Sequence, residues 1–163
     1  MKKLLSYLLV IILILGIVGC SNNGEQVSFS SINLKQEHIK EFTSSFTVSA
    51  NNITKLSASL YNQAIADKIP ERETFESKYD NFSKITASND KESTFKLYVY
   101  SFGENYKVLS ANEYVLKNAK TLYDDGILSK EDYNQNMKES KINKVKYLQK
   151  LKTDIENITK YYE

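Results

Sequence analysis

Beyond its first twenty residues the chain has almost nothing that interrupts a helix. Pro70 is the only proline, and of five glycines only Gly24, Gly103 and Gly126 lie past residue 20. An all-β fold needs turn residues at short intervals, and this chain lacks them. Apolar residues instead recur at steps of three and four, the mark of helices with one buried face. The expected fold is all-α: an antiparallel bundle of three or four helices over residues 32–163.

Stripes and caps divide that region. Ile39, Phe42, Phe46, Ala50, Ile53, Leu56, Leu60 and Ala64 predict a first helix over 33–67. Asn33 with Gln36 can open it as a capping box. Its weak point is Asn51-Asn52, because asparagine competes for backbone hydrogen bonds. Pro70 suits the start of a second helix over 70–87, with Phe75, Tyr79, Phe82 and Ile85 inward. Asn89 and Glu92 form the cap of a third. Its stripe is Phe95, Val99, Phe102, Tyr106 and Leu109, then Glu113 or Leu116, Ala119, and Leu122 or Tyr123. Gly103 is a candidate kink. The run 95–102 also suits a strand, but a lone strand has no partner here.

Asp124-Asp125-Gly126 stops the third helix, with Gly126 in the left-handed conformation. Ser129 and Asp132 open the fourth. Tyr133, Met137, Ile142 or Lys141, Val145, Leu148, Leu151 or Lys152, Ile155, Ile158 and Tyr162 carry it to the end. Phe46, Ile53, Leu60, Phe82, Phe102, Leu109 and Leu148 are expected in the core.

The first twenty residues have a different character. Lys2 and Lys3 precede an apolar run over 4–18, shorter than the roughly 20 residues that span a bilayer comfortably. That favours a cleaved export leader over a transmembrane anchor. Ile17-Val18-Gly19-Cys20 closes the run and resembles a bacterial lipobox, with Ile17 where leucine is commonest. The resemblance implies residues 1–19 as a cleaved signal peptide and a diacylglyceryl group on the sulfur of Cys20. Two acyl chains hold a protein where one holds it only marginally. Cys20 is also the only cysteine, so no intramolecular disulfide can form. Residues 20–31 read as the lipidated cysteine and a short flexible tether. About ten extended residues reach at most roughly 35 Å.

Charge excludes some partners. Lys and Arg total 22 against 20 Asp and Glu, and loss of Lys2 and Lys3 with the leader leaves them balanced. No general case remains for nucleic acid or acidic lipid as a partner. Arg72 is the only arginine, a lysine bias that fits an AT-rich, low-GC bacterium. Catalytic signatures are missing as well. His38 is the only histidine; with Glu37 and Glu41 it makes at most half of a carboxylate–histidine metal pattern. No nucleophile elbow, phosphate loop or zinc motif occurs. The acid pairs Asp124-Asp125 and Glu131-Asp132 suit a helix stop and a helix first turn. The expectation is no enzyme, no metal and no cofactor. Tyr98, Tyr100, Tyr106 and Tyr114 cannot all face one core, so some are exposed.

The segment from Leu122 through Gly126, Ser129 and the acids to Tyr133 resembles the short C-terminal domain family of bacterial proteins, over about residues 116–139. The resemblance implies an interaction or oligomerisation hairpin without catalysis. Helix lengths point the same way. If neither Asn51-Asn52 nor Gly103 kinks the chain, the third and fourth helices outrun the others as a two-helix arm. Tyr123, Ile127, Leu128 and Tyr133 at its tip are then the candidate partner contacts; in a compact bundle Ile127 is a buried plug instead. The expected function is a lipoprotein, held by lipid on Cys20 at the outer face of the cytoplasmic membrane of a low-GC Gram-positive bacterium. It binds a protein or envelope component. Alternatives are a phage or mobile-element exclusion lipoprotein and, further off, a cell-wall enzyme.

Overall fold

A computed structural model describes residues 33–163. Cys20, the leader and the tether lie outside the described residues. The chain is all-α: α1 (Gln36–Ile39), α2 (Ser44–Ile65), a 3-10 turn (Arg72–Thr74), α3 (Glu76–Ser83), α4 (Asp90–Asp124) and α5 (Lys130–Thr159). Among the described residues the only β-type pairing is an isolated antiparallel bridge between Leu34 and Tyr162. It is flanked by Lys35 N–H to Tyr161 O and Glu163 N–H to Asn33 O, each 3.0 Å. The two ends of the described chain therefore meet at one base.

Local chemistry sets the starts of the two longest helices. The Asn89 side chain accepts from Glu92 N–H at 2.9 Å, and Ser129 Oγ accepts from Asp132 N–H at 3.1 Å. Each satisfies one of the orphan donors of a first turn. The run 95–102 is helical, and α4 continues unbroken through Gly103.

Other boundaries move. The first helix breaks at residues 40–43, and Asn51-Asn52 lies inside α2. Asn33 caps nothing, because it is held in the base against Glu163. The second helix shrinks to α3 and the turn before it. Lys96 Nζ donates to Ser83 O, the last carbonyl of α3, at 2.9 Å and to Ile85 O just beyond it.

The seven residues expected in the core are all buried. Phe42, Phe46, Phe82, Phe95 and Tyr161 form its aromatic end, several rings meeting edge to face at 5.0–6.2 Å. Polar links hold the helices in register. Asp154 of α5 is buried and accepts from Ser101 Oγ at 2.9 Å and Asn105 Nδ2 at 2.7 Å of α4. Lys107 of α4 bridges Glu104, Asp80 and Glu76 at 3.0, 3.3 and 3.5 Å. Burial works to lower the Lys107 ammonium, and the bonds from Glu104 and Asp80 outweigh it, so its pKa is raised.

Unequal length shapes the rest. α2 has 22 residues, α4 35 and α5 30, or about 33, 53 and 45 Å at 1.5 Å per residue. The short helices stop where Ser110 Oγ donates to Pro70 O at 2.8 Å and Lys144 pairs with Asp67 and Glu113. Between Ala111 and Glu139 only Ala119 is buried. This part of α4 and α5 is a two-helix arm without a hydrophobic core of its own. Ile142 and Val145, read from the sequence as part of the inward stripe, are 59% and 63% exposed. They lie on the side of α5 turned away from its buried Leu151 and Ile155.

Candidate functional site

The arm ends in a turn built from backbone hydrogen bonds. Gly126 N–H donates to Tyr123 O at 3.0 Å and Ile127 N–H to Leu122 O at 2.9 Å, the paired bonds of a Schellman stop. Gly126 sits at φ +72°, which a residue with a Cβ adopts at a cost. Leu128 N–H also reaches Leu122 O, at 3.0 Å. Ser129 Oγ then donates to Asp132 Oδ2 at 2.7 Å while capping α5. Every bond of the turn lies within six residues, so the tip needs no support from the bundle.

The structure brings Tyr123 and Tyr133 together. Their rings stack with centroids 4.6 Å apart and planes 19° from parallel, pinning the end of α4 to the start of α5. Leu128 is half-buried beside them in sequence, and so is Tyr133. Ile127 is not a plug: it is 72% exposed, the most exposed of the large apolar side chains described. Leu122 and Tyr123 are more than a third exposed. Asp124, Asp125, Glu131 and Asp132 flank this apolar point in sequence, with Lys130 among them, and Lys120 pairs with Asp124 at 3.3 Å. The arrangement offers hydrophobic contact beside charged side chains.

Sequence reasoning missed how far the exposed apolar surface extends. Tyr114 and Val115 on the arm are 67% and 46% exposed, and Leu97 and Tyr100 further back are 66% and 59% exposed. The signal was present as a second apolar row on α4, offset from the core stripe. Of the four tyrosines weighed together, Tyr106 is buried, Tyr98 is half-buried, and Tyr100 and Tyr114 are exposed.

Elsewhere the titratable groups serve structure. His38 is less free than a surface residue: its side chain is 14% exposed, Nδ1 lies 2.7 Å from Glu41 and Nε2 3.3 Å from Glu37. That hydrogen bond lowers the Glu41 pKa. Among the described residues no three His, Cys, Asp or Glu side chains converge as metal ligands. A groove between α3 and α4 is lined by Tyr79, Lys96, Leu97, Tyr100 and Lys107, but its two lysines are engaged as described above. No helix of the described residues is long and apolar enough to cross a membrane.

Compared with protein-family models, curated proteins and solved structures, the chain matches none.

Proposed function

We propose that this chain is a lipoprotein, anchored through Cys20 at the outer face of the cytoplasmic membrane, whose two-helix arm binds a protein partner. One observation carries the binding reading: the arm has a single buried residue, and its tip holds Ile127 in water. A cluster of apolar surface that a chain keeps exposed usually marks a contact. The resemblance of the tip to an interaction hairpin supports the same reading. The base geometry supports a direction. The tether joins at Asn33, which is bonded to Glu163, and the tip lies at the far end of α5, about 45 Å away.

The test is a photocrosslinking amino acid placed at Ile127 in the producing cell, with the same group at Lys55 on the outside of α2 as comparison. The reading expects a discrete crosslinked species from position 127 and none from position 55. Equal patterns from both positions would overturn it.

A further inference from the structure

α5 carries a charge pattern that neither the core nor the ion pairs use. From Lys138 to Lys152 it holds six lysines against one acid, Glu139, in a chain whose charges nearly cancel. Lys144 is engaged by Asp67 and Glu113. The other five are exposed, and among the described residues none of the five has an ion-pair partner; Lys146 and Lys150 rest near the Tyr147 ring.

Their spacing is ordered. Lys138, Ile142, Lys146 and Lys150 follow one another at steps of four, a row on the side of α5 opposite Leu151 and Ile155. Lys141 and Val145 begin the adjoining row. Ile142 and Val145, 59% and 63% exposed, thus stand among lysines on the outward face. Lysines with aliphatic side chains between them suit the plane of a bilayer: the apolar groups enter the headgroup boundary and the ammonium groups meet phosphate.

We infer that the outward face of α5 rests on an anionic phospholipid bilayer. A soluble polyanion would match the lysines but leave Ile142 and Val145 in water, so the exposed aliphatics select the lipid surface. The inference rests on the tether reading for proximity, since the tether leaves at the C-terminal end of this same helix. It also refines the proposed function. With α5 along the surface, the arm reaches sideways, and its tip meets a partner embedded in the same membrane.

The experiment uses full-length protein purified from membranes in detergent, with an environment-sensitive fluorophore on Val145→Cys. Mass spectrometry of the same sample reports separately whether Cys20 carries lipid. The protein is reconstituted into vesicles of phosphatidylcholine alone and of phosphatidylcholine with phosphatidylglycerol. Emission should rise several-fold on the phosphatidylglycerol vesicles. The rise should vanish in 1 M salt, where the screening length is about 3 Å, and in the Lys138→Gln, Lys141→Gln, Lys146→Gln variant. Equal emission on both vesicles overturns the inference, as does a rise that the triple variant keeps. Capture by immobilised polyphosphate without any change in emission on vesicles would reassign the face to a polymer. An unmodified Cys20 would count against the tether alone. Its free thiol would also take the probe, so the measurement is then made on the Cys20→Ser, Val145→Cys variant, held in the vesicle by the apolar leader. The same outcomes decide the role of α5.

Discussion

Glu92 and Thr43, 49 residues apart, are joined by two hydrogen bonds: the Glu92 carboxylate accepts from Thr43 N–H at 2.7 Å and from Thr43 Oγ1 at 2.9 Å. Its other oxygen accepts from Ser88 N–H at 2.6 Å. One fully buried carboxylate therefore closes the N-termini of both α2 and α4. Removing it strands two backbone donors. Glu92→Ala should cost on the order of 3 kcal/mol, since a hydrogen bond to a charged group contributes about 1.5–3 kcal/mol. Chemical denaturation measures this, and a loss below about 0.5 kcal/mol, the range of ordinary surface changes, would show the cap to be dispensable.

The same carboxylate makes a pH prediction. Burial pushes the Glu92 pKa up, but the bonds from Ser88 and Thr43 outweigh it, so it is lowered. A carboxyl whose folded pKa is depressed stabilises the fold above its unfolded value, about 4.3, and that stability is lost as pH falls through the folded value. Wild type should lose stability below about pH 4 more steeply than Glu92→Gln. Parallel pH profiles for the two proteins would contradict the assignment.

Gly103 is expected to resist substitution despite lying inside a helix. A Cβ there would stand 2.7 Å from Tyr79 Cδ1. The Tyr79 ring is buried and its hydroxyl is bonded to Ser57 Oγ at 2.7 Å, so it cannot swing aside freely. Alanine gains up to about 1 kcal/mol of helix propensity, while overpacking costs about 1–3 kcal/mol. Gly103→Ala should lower the melting temperature. A higher one would show that the ring yields.

Tip and core should separate cleanly. Phe102→Ala should cost about 3–5 kcal/mol. Ile127→Ser should stay within about 0.5 kcal/mol while weakening the crosslink formed by the same photoreactive group moved to Asp125 at the tip. Similar melts for the two variants would show the burial pattern to be wrong.

Small-angle scattering on residues 33–163 tests the arm directly. A compact domain of this size has a radius of gyration of about 14 Å, and the arm should raise it measurably. A value at the compact limit rules the arm out.

Anchoring is tested at Cys20. Cys20→Ala should abolish metabolic labelling by a fatty-acid analogue and leave unprocessed or shed protein. Labelling that persists in the variant removes the lipoprotein reading.

Every feature read correctly from residues alone depends on neighbours within about one turn. Asn89 with Glu92, Gly126 after Leu122, and Ser129 with Asp132 each close a bond over three to five positions, so the sequence shows both partners together. The core stripe is equally local, because a 3.6-residue period places Phe95, Val99, Phe102, Tyr106 and Leu109 on one face whatever packs against it. The turn at the tip was legible for the same reason, since its backbone bonds join residues 122–128.

Tertiary structure decided what depends on distant partners and on length. The break before α2 lies at Thr43 because Glu92 arrives from another helix, and no feature near Asn51-Asn52 could announce that. At the end of α3 the last carbonyl, Ser83 O, is taken by Lys96 from another helix. Gly103 serves Tyr79 rather than a kink. Ile142 and Val145 belong to an apolar pattern, yet burial requires a neighbour, and both stay exposed on the side of α5 turned away from Leu151 and Ile155. Periodicity states which residues share a face. Only the lengths and placement of the surrounding helices state whether anything covers it.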